Sequence, residues 1–272
     1  MELAKLGHTT ETVQLKKLPK DLAALAGKTD AFVAVGTDAA LYLHGNPKAT
    51  TKMAYCMVAD PVGMGLGGDQ PPPGVSTDIP ITPQFALIAE ALPGARTVGM
   101  LYSSSSPRSK RMLEAARTSL PKAWSLKPVD MAKHSSASAA IEALLDCDMD
   151  IVWTAPDRSV LNVATIRSLL RGAMRKRMPI FGFSTGFVRA GALLGVGIDP
   201  AAQGHQAAGI ADRLVRGRAH QDGKAPAKRG DVPPEFQVAV NLIVAERLGV
   251  VLPEGLVRRA DLVFREKTDK PQ

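Results

Sequence analysis

The sequence predicts an α/β fold built on parallel sheet, and three observations carry that prediction. Short apolar runs alternate with helix-patterned stretches along most of the chain, as strand–helix–strand units require. Several runs are apolar at nearly every position, as strands covered on both faces are. The chain has 272 residues, 45% of them hydrophobic and 22% charged, enough to bury a large core or two smaller ones.

In chain order, Met1 to His8 is polar and helix-like and stops at Gly7; it lacks the basic start, apolar centre and small-residue cleavage site of a secretory signal. Strands are expected at 10–15, 31–35, 53–58, 97–102, 125–129, 151–154, 179–183 and 192–198. Helices are expected at 19–25, 39–43, 83–92, 109–120, 137–145, 160–177, 201–216 and 242–248. Thr82 and Ser138 are candidate N-caps, and Gly217 and Gly249 sit where helix C-termini would end. A Pro/Gly cluster from Gly67 to Gly74 breaks the rhythm as loop or crossover, because serial prolines cannot donate to a central strand. A second breaker region runs from Gln221 to Pro234.

Charge and cysteine usage narrow the function classes. Lys plus Arg number 34 against 26 Asp plus Glu, a formal charge of +8. The basic residues fall in short sets, among them Arg108 to Arg111, Arg167 to Arg177 and Arg213 to Arg218. With 4% aromatics and no helix-turn-helix or RNA-binding signature, the pattern argues for a solvated basic surface over a nucleic-acid module. No apolar run approaches the roughly 20 residues of a membrane span. Cys56 and Cys147 are too few for a disulfide scaffold, and the five histidines are too dispersed for a metal site.

In open parallel sheets, ligands bind at loops beyond the carboxyl ends of strands. Those loops hold Gly36-Thr37-Asp38-Ala39, Asp60-Pro61, Tyr102-Ser103-Ser104-Ser105-Ser106 with Ser109, Asp157-Arg158, Ser184-Thr185 and Asp199-Pro200. Thr37, Ser109 and Asp157 read equally as helix caps, and the two Asp-Pro pairs as turns. Enzyme signatures are weak: there is no phosphate loop. Gly63-Met64-Gly65-Leu66-Gly67-Gly68 leads into prolines and not a helix, so it fails as a dinucleotide loop.

Val33-Ala34-Val35-Gly36-Thr37-Asp38-Ala39-Ala40, Ala59-Asp60-Pro61-Val62-Gly63-Met64-Gly65-Leu66 and Gly74-Val75-Ser76 stand in one order with Gly99-Met100-Leu101-Tyr102, Thr154-Ala155-Pro156-Asp157, Pro179-Ile180-Phe181-Gly182, Gly191-Ala192-Leu193 and Val240-Asn241. This series resembles the substrate-binding proteins of ABC importers of the tryptophan/tyrosine type. The resemblance covers nearly the whole chain. It implies a two-lobed type I periplasmic-binding-protein fold, parallel sheets flanked by helices, with an amino-acid-like ligand in the interlobe cleft. The first lobe is expected at 1–75 plus about 199–232, the second at 76–198 plus about 233–265, with a tail at 266–272.

Carried over residue by residue, the resemblance places Thr37, Asp38, Ala39, Asp60, Tyr102, Ser103, Ser105, Ser109, Asp157, Arg158, Ser184 and Asp199 at the ligand. Helix-start N–H groups and hydroxyls would hold a carboxylate, and Asp157 an ammonium. Asp38 and Arg158 depart from the family, which has an uncharged residue at the first position and commonly Asn at the second. The resemblance further implies a monomer that delivers its ligand to an ABC permease, with no cofactor, no metal, no nucleic acid and no catalysis. It also implies a periplasmic protein whose natural start, signal peptide and first strand lie upstream of Met1. A sensory module of the same fold and an α/β enzyme are the alternative functions.

Overall fold

The computed structural model describes residues 2–17, 22–50, 52–69, 71–217, 231–232 and 235–266. In order the elements are α1 (Glu2–Lys5), α2 (Ala23–Ala26), β1 (Phe32–Val35), α3 (Thr37–His44), α4 (Pro47–Thr50), β2 (Met53–Val58), β3 (Gly74–Ser76), α5 (Ile81–Ala91), β4 (Thr97–Tyr102), α6 (Pro107–Ser119), β5 (Ser125–Asp130) and α7 (Ala137–Leu145). There follow β6 (Ile151–Trp153), α8 (Val163–Arg175), β7 (Ile180–Gly182), α9 (Thr185–Ala190), β8 (Leu194–Ile198), α10 (Pro200–Val215), β9 (Asp231–Val232), β10 (Phe236–Asn241), α11 (Leu242–Leu248), α12 (Glu254–Arg259) and β11 (Leu262–Phe264). No described helix is long and apolar enough to cross a membrane. Contacts divide the chain into two compact units, residues 1–79 with 198–235 and residues 80–197 with 236–272.

The first unit is built on a parallel sheet in the order β1-β2-β3-β9. One face of β2 sends Met53, Tyr55 and Val58 into a core with Leu22, Ala34, Leu43 and Leu66. The other sends Ala54 and Cys56 against Val75 and, from α10, Ala207 and Ile210. Strict alternation would put Val58 with Cys56. Met57 breaks the alternation: its φ is 57°, and the β2–β3 register shifts between Tyr55 and Val58. This is a β-bulge, which re-aims the end of the strand. β3 passes so close to β2 that a Cβ on Gly74 would lie 2.4 Å from the Tyr55 ring, so only glycine fits.

The second unit carries a seven-stranded sheet in the order β11-β10-β8-β7-β6-β4-β5. Its core gathers Ile141, Leu144 and Leu145 of α7, Leu169 and Ala173 of α8, and Val152, Ile180 and Val188. Trp153 is fully buried, donates from Nε1 to Gln84 Oε1 at 2.9 Å and packs 5.5 Å from Phe85. Arg259 of α12 pairs with Glu90 of α5.

Most expected elements form within a few residues of their expected bounds, but several expectations are corrected. Residues 10–14 form no strand and are exposed. Strand-forming residues need a neighbouring edge to satisfy their backbone groups, and the described residues offer these none. The N-cap of α5 is Pro80 rather than Thr82, and that of α7 is Ser136 rather than Ser138, with Ser136 Oγ accepting from Ala139 N at 3.1 Å. Gly74 begins a strand and does not merely close a loop. Residues 19–21 of the helix expected at 19–25, most of the 221–234 breaker and nearly all of the 266–272 tail lie outside the described residues.

Helix α8 ends in a Schellman motif: Met178 N donates to Ala173 O at 2.9 Å and Arg177 N to Met174 O at 3.2 Å. The left-handed position, where glycine is usual, is Arg177 at φ 52°. The Arg177→Gly variant is therefore expected to be more stable by about 0.5–1 kcal/mol, read as a higher urea midpoint at unchanged slope.

Candidate functional site

In the first unit the site begins where β1 ends. Gly36 at φ 93° turns the chain, its N–H donating to Cys56 O at 2.9 Å. Gly36, and not Thr37, occupies the N-cap of α3, and no side chain caps this helix. The first N–H groups of a helix, here those of Thr37, Asp38 and Ala39, have no partner within it and favour an anion. Thr37 and Ala39 are half-buried, whereas Asp38 is exposed and its side chain makes no hydrogen bond among the described residues.

The adjacent end of β2 is fixed by a residue on α10. Gln203 is fully buried. Its Oε1 accepts from Met57 N at 2.8 Å and its Nε2 donates to Ser76 O at 2.6 Å. One amide thus closes the gap that the bulge opens in the β2–β3 ladder. Beyond the bulge, Asp60 sits at φ 52° and donates its N–H to Asp78 Oδ2 at 2.8 Å. Asp60 Oδ1 accepts from Gly63 N at 3.2 Å, and Asp78 N donates to Ser76 Oγ at 2.8 Å. Asp199 caps α10, accepting from Ala201 N at 2.9 Å.

In the second unit the serine loop after β4 is held from two sides. Tyr102 pairs in register with Asp130 on β5, whose Oδ1 accepts from Ser104 N at 2.9 Å and Ala132 N at 3.0 Å. On the other side stands Asp157, only 7% exposed. It accepts from Ser106 Oγ at 2.8 Å, Ser159 N at 2.8 Å and Ser159 Oγ at 2.7 Å. Ser109 Oγ, buried, takes Ser103 N at 2.9 Å, and Ser106 Oγ caps α6 through Ser109 N at 3.2 Å. Ser105 is exposed, its N–H donating to Ser103 Oγ at 3.3 Å. Burial alone would raise the Asp157 carboxyl. Hydrogen bonds from Ser159, Ser106 and Ser109 outweigh it and hold the group below the usual carboxylate range. Arg158 is exposed, and Ser184 caps α9 through Phe187 N at 3.1 Å.

Thr37, Asp38, Ala39, Asp60 and Asp199 thus belong to the first unit. Tyr102, Ser103, Ser105, Ser109, Asp157, Arg158 and Ser184 belong to the second. Ser109 and Asp157 cap nothing: the α6 cap is Ser106, and the α8 cap is Asn162. Sequence reasoning missed Gln203, Asp78 and Asp130, and placed Ser106 in the serine loop without its capping role. Only Ser106 carried a clear signal, a cap residue directly before a proline at the first helical position.

Residues 11–264 match the ABC transporter substrate binding protein family, and the chain belongs to that family. It is similar to a tyrosine-binding protein of Clostridioides difficile (strain R20291), 24% identical over 204 residues, covering 73% of this chain and 58% of that protein. Among solved structures, an ABC domain from Streptococcus pneumoniae in complex with L-Trp is 22% identical over 97% of this chain and 92% of that one, with a TM-score of 0.66. The ligand-free, open structure of a substrate-binding protein with adhesive properties from Clostridium difficile covers 89% and 81% at 19% identity and a TM-score of 0.67. These likenesses establish the type I periplasmic-binding-protein fold.

Two variants test the clamps. Gln203→Leu leaves the Met57 N–H and Ser76 C=O without their partner and is expected to cost about 2–4 kcal/mol, read by urea unfolding. Asp157 titrates lower when folded, so its contribution is complete above the ordinary Asp pKa of about 3.9 and is lost as pH falls through its folded value. Asp157→Asn should therefore be less stable at neutral pH. It should also lose less further stability than the wild type between about pH 5 and pH 3.

Proposed function

We propose that the chain is the extracytoplasmic solute-binding component of an ABC importer, and that its ligand is an amino acid of the tyrosine or tryptophan class. The observation that carries the reading is the uncapped start of α3. Gly36 leaves the Thr37, Asp38 and Ala39 N–H groups without a side-chain acceptor at the carboxyl end of β1. A ligand carboxylate satisfies them with help from the helix dipole. Family membership and the names of the relatives support the ligand class. The chain spans 58% of the length of the tyrosine-binding relative, and its ligand, permease and monomeric state are part of this proposal.

The chemistry of the loops suits capture better than turnover. The carboxylate of Asp157 receives the hydroxyls of Ser106, Ser109 and Ser159, so its work is to shape the serine loop and present Ser105. Asp38, exposed beside the N–H groups of α3, works against a lone anion and favours a zwitterion that brings its own ammonium. No catalytic step is assigned to the chain. Its proposed partners are the ligand and a membrane permease.

Mass spectrometry of small molecules released on denaturation, followed by calorimetry with L-Tyr, L-Trp and L-Phe, tests the ligand class. At least one is expected to bind the wild type, and binding by none overturns the reading. Thr37→Pro removes one N–H at the first helical position, where proline is tolerated. It is expected to keep the fold and to weaken binding by roughly 10- to 150-fold, the worth of one charge-assisted hydrogen bond.

A further inference from the structure

Helix α8 carries a charge pattern that ligand binding does not use. Arg167, Arg171 and Arg175 follow one another every fourth residue, which places them on one face of the helix. All three are exposed, and none of the three side chains makes a hydrogen bond or ion pair among the described residues. Like charges at this spacing work against the helix that bears them. Lys176 and Arg177 follow directly at the end of the helix, both exposed. Arg177 does so at φ 52°, a backbone position that suits glycine better. Charge is thus kept at this end of the helix where local conformation argues against it.

The facing helix opposes this charge only in part. Asp146, directly after α7, is paired with Lys176, and Glu142 of α7 lies in the groove between the two helices. That groove holds about 240 Å³ and is floored by Ile141, Leu145 and Gly172, with Arg171 and Arg175 on its wall. A guanidinium fork matches a phosphate.

We propose that this face of α8 docks on an anionic phospholipid bilayer, with one headgroup phosphate seated between Arg171 and Arg175. The row runs about 12 Å along the helix, longer than a single free phosphate needs and suited to several headgroups. A protein partner would be expected to use buried aromatic or large apolar anchors. The only large hydrophobic residue exposed on the described parts of α7 and α8 is Val163, which begins the same row. The net charge of +8 draws the chain toward such a surface.

Co-sedimentation of the full chain with phosphatidylcholine vesicles, with and without phosphatidylglycerol, tests the proposal. Wild type is expected to bind only the anionic vesicles and to be released by high salt, as screened surface charges are. The Arg167→Glu, Arg171→Glu, Arg175→Glu triple variant is expected to bind at least about tenfold more weakly, with an unchanged circular dichroism spectrum. Arg177→Gly guards against a folding artefact, because it should bind several-fold more weakly while being the more stable protein. Failure of wild type to bind anionic vesicles, or undiminished binding by the triple variant, overturns the proposal. So does full displacement from vesicles by millimolar inorganic phosphate at constant ionic strength, which would assign the groove to a free anion.

Discussion

A parallel strand buried on both faces must end abruptly, and at its carboxyl end the backbone groups that leave the ladder need new partners. That constraint organises both units. In the first, the Met57 bulge removes ladder bonds, and a single buried amide from α10, Gln203, supplies replacements to both β2 and β3. In the second, two carboxylates hold the serine loop from opposite sides, Asp130 through Ser104 N and Asp157 through the Ser106 hydroxyl. The loops proposed to face the ligand are therefore built from side chains that satisfy backbone groups within the protein itself. Preorganisation of this kind limits the entropy that binding must overcome.

How much of this was legible beforehand follows from the distance between partners. Strands such as 53–58 and 97–102 are apolar at nearly every position and announce themselves locally. So do the positions of Thr37, Asp60 and Asp157 after them, because a strand end is a local event. The role of each side chain is not local. Asp157 stood out as a carboxylate in a loop, but the serines that saturate it include Ser106 and Ser109, about fifty residues earlier. Gln203 acts on Met57 across 146 positions and looked like one more polar residue on a helix. Residues 10–14 show the converse: their β-pattern was visible, while the neighbour a strand needs was not. Caps were misplaced by two residues at both α5 and α7: α5 starts at Pro80 with no side-chain cap, and at α7 geometry selects Ser136 among neighbouring hydroxyls.

Charge and conformation pull against each other at the end of α8. A Schellman turn is satisfied by its backbone hydrogen bonds whatever residue sits at the left-handed position, so the identity of that residue is free to answer to other demands. The same logic applies to Met57 and Asp60, which also hold positive φ, in their case at the end of β2. Strain of this sort persists where surrounding bonds over-determine the backbone. Gln203 does this for Met57, and Asp78 for Asp60.

The buried Trp153, tied to Gln84 and packed at a tilt against Phe85, has a spectroscopic consequence. The chain has two tryptophans, and Trp124, the other, lies 6.2 Å from the same Phe85 ring. Both therefore belong to the second unit, while the first has tyrosine and phenylalanine but no indole. Indole emission is a private reporter of one half of the molecule. Far-ultraviolet dichroism, which sees every helix, records both halves, so any gap between the two melting curves measures how independently the first unit comes apart.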